Sequence, residues 1–198
     1  IFLEYGKKYG TITTVIKKKN FEITSLREDI KSTGRYTDVK FTDDWYKDAI
    51  RRDFTFNAIN IKRTGKIEDY FNGQHDIKLQ QVKFIGPIED RIQEDYLRIL
   101  RYFRFLGLFE NLNFIDGYEG VLYKNLPQLR KHISNDRIRD ELIKMLKNKF
   151  KMNSISKHQN SNETNTLINM IRKWWTEDHY ELGLHKCMNK IDALIINQ

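Results

Sequence analysis

Residues 92–105 read IQEDYLRILRYFRF, and their spacing predicts an amphipathic helix. Tyr96, Ile99, Leu100 and Phe103 stand at positions i, i+3, i+4 and i+7, which places them on one face of an α-helix. Several of the intervening positions carry charges. The stretch therefore indicates a helix that packs its apolar face against a core and turns charged side chains away from it.

The charged face of this predicted helix carries a carboxylate beside a guanidinium. Glu94 lies four residues and Asp95 three residues before Arg98, and both spacings bring side chains together on a helix. Cytosine and adenine each present an exocyclic amine next to a bare ring nitrogen. An aspartate can accept from the amine while an arginine donates to the ring nitrogen, whereas uracil and guanine reverse this pattern. The alternative is a solvent-exposed helix salt bridge that contributes about 0.3–0.5 kcal/mol to stability.

A basic stripe follows on the same helix. Arg98, Arg101 and Arg104 recur at steps of three residues, and such a stripe can bind a triphosphate or an RNA phosphate. The alternative is a basic amphipathic helix with a solvated face. A second basic group, Arg51-Arg52 followed by Asp53, stands at a predicted helix-to-strand junction and suits a phosphate together with a ribose hydroxyl.

Upstream of residue 88 the pattern is that of short strands and turns. Alternating apolar and polar residues on either side of polar or glycine-containing turns predict two hairpins. The predicted strands are Thr11–Ile16, Phe21–Leu26, Phe54–Ile61 and Lys66–Tyr70, with a further strand at Val82–Ile85. Asp43 and Asp44 can cap a helix that reaches about Arg52. The polar stretch Arg27–Thr42 is predicted to be a mobile loop.

Downstream, the pattern is helical. Asn135 can cap a helix over Asp136–Lys147 with its apolar residues inward. Lys151–Thr166 is rich in Asn, Ser and Lys and begins as a linker, and short helices are predicted at Leu167–Trp175 and Asp192–Ile196. The sequence therefore predicts an α+β fold, in which a small mixed or antiparallel sheet is followed by an all-helical part.

Composition limits the classes of function. The 198 residues carry a formal net charge of +8, which favours a polyanionic partner, although a solvated lysine-rich surface is equally compatible with it. Cys187 is the only cysteine, so no intrachain disulfide can form and a reducing compartment is expected. No apolar run is long enough to span a bilayer. The five histidines have no spacing that is typical of metal ligands.

Several motifs, in order, resemble one family from about Gly10 to Lys147: GTIT, FEITSLR, GRYTDVKFTDDW, RRDFTFNA, DYFNGQHD, EDYLRILRYFRF and ISNDRIRDELIKML. The family is that of the class II tRNA nucleotidyltransferases, which includes CCA-adding enzymes and bacterial poly(A) polymerases. The resemblance implies a nucleotidyltransferase-type head over residues 1–88, a helical neck over 89–150 and part of a helical body over 151–198. In the last motif, Ser134-Asn135-Asp136-Arg137 departs from the family pattern S-x-E-R by having Asp for Glu.

The resemblance also implies roles for individual residues. Asp95 and Arg98 would pair with the base of CTP or ATP, and Glu94 would orient Arg98. The other implied nucleotide ligands are Arg101, Arg104, Arg52 and Asp53, with Asp53 near the ribose. The segment Arg27–Trp45, which includes Arg35, matches the flexible loop that helps the family to switch from CTP to ATP.

One family feature is missing from the sequence. The family has a Gly-Gly turn and an acid-x-acid pair whose carboxylates hold magnesium ions, and the 198 residues contain neither motif. We expect that the chain begins after them. Glu22 is a candidate for a supporting carboxylate, but a single carboxylate cannot replace the pair. A chain that binds nucleotide or tRNA weakly without catalysing addition is expected.

The resemblance implies a parent reaction, the template-independent transfer of CMP and AMP from CTP and ATP to the tRNA 3′ end, in the cytoplasm, the mitochondrion or both. A poly(A) polymerase or an A-adding enzyme is the nearest alternative. A non-catalytic RNA-binding protein, or one half of a split enzyme, is the alternative from another class.

Overall fold

The computed structural model describes residues 2–3, 10–33, 36–111 and 113–149, and the chain divides after Gly73 into two compact units. Each unit is described by itself. The predicted linker at Lys151–Thr166 and the two predicted helices after it lie outside the described residues. The predicted domain boundaries at residues 88 and 150 stay predictions. No helix among the described residues has the length and apolarity needed to cross a bilayer.

The first unit begins with a three-stranded antiparallel sheet. Its strands are β1 (Phe2–Leu3), β2 (Thr11–Ile16) and β3 (Lys19–Thr24), in the order β1-β2-β3. Lys17 and Lys18 both have positive φ, as a two-residue hairpin turn with right-handed strand twist requires. The predicted hairpin is therefore confirmed, although its second strand begins two residues earlier than expected.

A second hairpin occupies the segment that was predicted to be a mobile loop, so that prediction was wrong. The strands β4 (Arg27–Thr33) and β5 (Tyr36–Phe41) pair antiparallel, with Arg27 opposite Phe41. Backbone bonds continue past its base, where Thr42 N donates to Leu26 O at 3.0 Å. The sequence concealed the strands because their residues are largely polar and give no clear alternation between an apolar and a polar face.

Helix α1 (Trp45–Ile50) is capped by Asp44, whose Oδ1 accepts from the backbone N of Tyr46 and Lys47. This confirms the predicted helix start. The strand predicted from Phe54 is instead a 3-10 helix, Thr55–Ala58, followed by the short hairpin of β6 (Asn60–Ile61) and β7 (Ile67–Glu68).

Helices make up the described part of the second unit. They are α2 (Gly73–Lys78, which begins at the unit boundary), α3 (Ile88–Glu94), α4 (Leu97–Leu106), α5 (Tyr118–His132) and α6 (Asn135–Leu146). The predicted strand at Val82–Ile85 is not formed, and Val82, Phe84 and Ile85 contribute buried side chains to the helical core instead.

The core of this unit lies around α4, which contacts α5 and α6. Of the predicted apolar stripe, Ile99, Leu100 and Phe103 are fully buried, whereas Tyr96 precedes α4 and is half-buried. On α6 the predicted inward residues are buried as well, but the helix begins one residue earlier than expected, and Ser134 at its N-cap position makes no side-chain capping bond. Small antiparallel sheets followed by packed helices confirm the predicted α+β class.

Candidate functional site

The predicted continuous helix is interrupted at Asp95, so α3 and α4 are separate helices. Asp95 has extended backbone angles, φ −154° and ψ 105°. Its Oδ1 accepts from the backbone N of Leu97 at 3.1 Å, at the first turn of α4. An aspartate that binds a nearby backbone N–H in this way competes with the helical ladder. The candidate base-reading carboxylate therefore lies at a break between two helices, where its backbone is fixed by its own side chain.

Arg98 is held from α3. Its Nη1 donates to Glu94 Oε2 at 2.6 Å and to the carbonyl of Arg91 at 2.8 Å. Arg91 in turn donates to Glu94 Oε1 at 2.8 Å, so one carboxylate joins two arginines. The Arg98 side chain is only 14% exposed, which limits the number of conformations it can adopt. The predicted pairing of Glu94 with Arg98 is present, although Glu94 ends α3 and Arg98 lies in α4.

The carboxylate of Asp95 has a partner that the sequence did not suggest. Arg137, in the first turn of α6, donates from Nη2 to Asp95 Oδ2 at 2.8 Å. The two residues are 42 positions apart, and helical spacing cannot predict such a contact. Arg137 does lie in the ISNDRIRDELIKML motif, which is the one sequence signal that could have drawn attention to it.

The basic stripe faces a buried carboxylate on α6. Glu141 is 3% exposed and lies 2.7 Å from Arg104 Nε, 4.0 Å from Arg101 Nη1 and 2.9 Å from Lys144 Nζ. Arg104 also lies over the ring of Phe105, 4.1 Å from its centroid. The sequence left open whether this stripe is solvated. Arg104 is 18% exposed and Arg101 30%, so both are packed against α6 rather than extended into solvent.

In the first unit, Asp48 accepts hydrogen bonds from two neighbouring arginines. Its Oδ1 accepts from Arg51 Nη2 at 2.7 Å and its Oδ2 from Arg52 Nη2 at 2.7 Å. The backbone N of Arg27 also donates to Oδ1, at 3.2 Å. Burial alone would raise the pKa of Asp48, but the hydrogen bonds from Arg52 and Arg51 outweigh it and hold that pKa below its ordinary value. Arg52, 42% exposed, is thereby oriented while part of it meets solvent.

Asp53 is buried and has a structural role in its own unit. Its Oδ1 accepts from the backbone N of Phe54 at 3.0 Å and from Asn57 Nδ2 at 2.9 Å. The 3-10 helix follows where a strand was predicted, and the bond from Phe54 N occupies a backbone N–H that a strand would offer to a neighbour. The predicted proximity of Asp53 to a ribose stays a prediction.

The remaining candidates are more dispersed. Arg27 begins β4, whereas Arg35 lies outside the described residues. Glu22 is exposed on β3, opposite Thr13. Within the described ranges, no group of three His, Cys, Asp or Glu side chains could hold a metal ion. The described residues therefore do not fit the magnesium site that the resemblance implies.

Comparison with known proteins identifies relatives for part of the chain. Residues 1–83 match the family described as the Poly A polymerase head domain. A segment of 102 residues is 55% identical to the human mitochondrial CCA tRNA nucleotidyltransferase 1 and covers 52% of this chain and 24% of that protein. The CCA-adding enzyme of Staphylococcus aureus is 44% identical over 102 residues, which are 50% of this chain and 26% of that one.

A solved structure gives the same relationship. The Bacillus stearothermophilus CCA-adding enzyme in complex with CTP superposes with a TM-score of 0.68 at 32% identity, covering 78% of this chain and 37% of that one. The chain spans about a quarter of the length of the curated relatives that it matches. These findings confirm the resemblance to the nucleotidyltransferases that the motifs predicted.

Proposed function

We propose that the parent protein adds CMP and AMP to the tRNA 3′ end, because residues 1–83 match the Poly A polymerase head domain and the chain is similar to CCA-adding nucleotidyltransferases. CTP, ATP and tRNA are then its substrates. The part of that activity which this chain supplies is recognition of the incoming nucleotide. The observation that carries the proposal is the α3–α4 break, where Asp95 and Arg98 are each held by a partner of opposite charge.

Base selection follows from the chemistry of these two side chains. The Asp95 carboxylate accepts from the exocyclic amine of cytosine or adenine, and Arg98 donates to the adjacent ring nitrogen. Glu94 fixes the guanidinium of Arg98 before a nucleotide arrives, since the two groups lie 2.6 Å apart. Fixing the donor in advance reduces the conformational entropy that binding would otherwise cost. Uracil and guanine present a carbonyl to Asp95 and an N–H to Arg98, and both contacts are repulsive.

The other arginines are proposed to bind phosphate. Arg52 is oriented by Asp48, and Arg101 and Arg104 are gathered by Glu141, so each has a charged partner that sets its direction. Planar guanidinium groups suit phosphate oxygens because they donate from two nitrogens at once. Asp53 is proposed to lie near the ribose. Residues 1–88, 89–150 and 151–198 are proposed to be head, neck and partial body.

Magnesium is expected of the parent reaction, but the described residues offer no cluster that fits it. No step of the reaction is assigned to the metal on this chain. The relatives include a mitochondrial protein and a bacterial one, and the cytoplasm or the mitochondrion is proposed as the compartment.

Equilibrium binding tests base recognition directly. Purified chain is titrated with CTP, ATP, UTP and GTP by calorimetry, and we expect CTP and ATP to bind more tightly than UTP and GTP. Asp95→Asn replaces one acceptor by an amide donor, so it should reduce the preference for CTP over UTP by about 1–3 kcal/mol. Asp90→Asn is the matched control, because Asp90 is an aspartate in the first turn of α3, away from the break at Asp95. A preference for CTP that persists in Asp95→Asn would refute base recognition by this carboxylate.

Turnover separates the related activities. The chain is incubated with magnesium, a tRNA that lacks CCA, and either both nucleotides or ATP alone. We expect no addition, since the sequence contains no acid-x-acid pair. Efficient addition of CCA would contradict this expectation, and long A tails from ATP alone would instead indicate a poly(A) polymerase.

A further inference from the structure

We propose that Arg137 is a positioning residue that determines base specificity by fixing the carboxylate of Asp95. This inference rests on the proposed reading of the base by Asp95. The relevant contacts come from two different helices. Leu97 N, in α4, donates to Oδ1 at 3.1 Å, and Arg137 Nη2, in α6, donates to Oδ2 at 2.8 Å.

Two hydrogen bonds fix the orientation of the Asp95 carboxylate more fully than one bond can. The terminal torsion of an aspartate is broad, so the single bond to Leu97 leaves the plane of the carboxylate variable. A second donor on the other oxygen, provided by a separate helix, defines that plane. A carboxylate has about four lone-pair sites on its two oxygens. After Leu97 and Arg137 have each taken one, acceptor capacity remains for the exocyclic amine of a base, so Arg137 and a nucleotide can bind Asp95 together.

Stability alone does not account for the pair. The side chains of Arg137 and Asp95 are 44% and 32% exposed, and exposed ion pairs contribute little to folding. Arg137 also lies in the first turn of α6, where the helix dipole disfavours a cation. The acid in that turn, Asp136, pairs with Arg139 at 3.0 Å. The pair is thus better explained by the orientation it gives to Asp95 than by a benefit to α6.

The test compares two arginines of the same helix. Arg137→Gln removes the charge that holds Asp95. Arg139→Gln makes the same change two residues further along α6, at a residue whose partners, Asp136 and Asp140, belong to α6 itself. Binding of CTP and UTP is measured by calorimetry for each variant. We expect Arg137→Gln to lower the CTP-to-UTP preference roughly tenfold, because a misplaced reading group loses its discrimination, and Arg139→Gln to leave it unchanged.

A double variant shows whether Arg137 acts through Asp95. In an Asp95→Asn background, Arg137→Gln should cause no further loss of preference. With Asp95 intact, Arg137→Lys should keep more of the CTP preference than Arg137→Gln does, because lysine still supplies a positive charge. Unchanged preference in Arg137→Gln, or additive losses in the double variant, would overturn the inference. If Asp95→Asn lowers the preference and Arg137→Gln does not, only this inference fails. If Asp95→Asn also has no effect, the proposed function fails with it.

Discussion

Replacing Asp48 by asparagine should destabilise the first compact unit by about 3 kcal/mol, because it leaves two arginines beside a neutral amide. Asp48 is 1% exposed, so water cannot replace the lost charge. Its Oδ1 accepts from Arg51 at two nitrogens, 3.0 and 2.7 Å away, and its Oδ2 from Arg52 at 2.7 Å. Asparagine keeps one acceptor oxygen but turns an amide N–H₂ group toward one of these guanidinium groups.

The expected loss of stability follows from how far the two arginine side chains are exposed to solvent. A hydrogen bond to a charged group contributes about 1.5–3 kcal/mol to stability, and the Arg51 side chain, 16% exposed, should lose most of this contribution. The Arg52 side chain is 42% exposed and can recover hydration, so its bond adds much less. The loss of one well-buried interaction and part of another gives the expected value of about 3 kcal/mol.

Hydrogen exchange, read by mass spectrometry over α1 and β4, measures the opening free energy of this region for native and variant chains. Asp44→Asn is the matched control on the same helix, because asparagine caps a helix about as well as aspartate and the change should cost under about 0.5 kcal/mol. A loss below about 1 kcal/mol in Asp48→Asn, or equal losses in the two variants, would refute the reasoning.

The same residue makes stability depend on pH. The pKa of Asp48 is lower in the folded protein than its ordinary value of 3.8, because the bonds from Arg52 and Arg51 outweigh burial. Its contribution is therefore complete above the unfolded pKa and is lost as the pH falls below that value. In urea unfolding, the difference between native and Asp48→Asn chains should begin to shrink below about pH 4 and disappear as the pH falls through the lower pKa of the folded protein. A constant difference down to the lowest pH would contradict this assignment.

Glu141→Gln should lower the stability of the helical unit by about 3 kcal/mol, because the buried carboxylate lies 2.7 Å from Arg104; thermal unfolding measures the loss. Gly10→Ala should cost about 2 kcal/mol, since Gly10 has φ +73° and a Cβ there would come within 2.5 Å of Phe41. Gly117→Ala should cost only about 1 kcal/mol, because Gly117 has φ +81° but open space around it. Equal losses at the two glycines would exclude a contribution from the Phe41 contact.

The elements that could be predicted from the sequence are those whose signal is local. Thr11–Ile16 is a run of β-branched residues, Asp44 can cap the helix that follows it, and Ile99, Leu100 and Phe103 repeat with helical period; all three elements are present. The hairpin of β4 and β5 was not predicted because its residues are largely polar and give no clear alternation; one contact at its base, from Arg27 N to Asp48, joins residues 21 positions apart.

In the candidate site, too, local contacts could be predicted from the sequence and long-range contacts could not. Glu94 and Arg98 are four residues apart, and their contact could be predicted. The break at Asp95 could not be predicted, because the apolar residues keep a helical period through residues 92–105, and the bond from Leu97 N to the Asp95 side chain is not visible in that period. Arg137 and Glu141 were missed as site residues because their partners lie on α4 or just before it, and tertiary packing decides which residues meet.

Each arginine proposed to bind the nucleotide has a carboxylate partner: Arg52 has Asp48, Arg98 has Glu94, and Arg101 and Arg104 share Glu141. If attraction of phosphate through net charge were the main requirement, these carboxylates would be unfavourable, because they cancel the positive potential locally. They are favourable if direction matters more than charge, since a guanidinium held in place loses less entropy when it binds. Removing a carboxylate should then weaken nucleotide binding although it makes the chain more positive. This sign distinguishes a preorganised site from a merely basic surface.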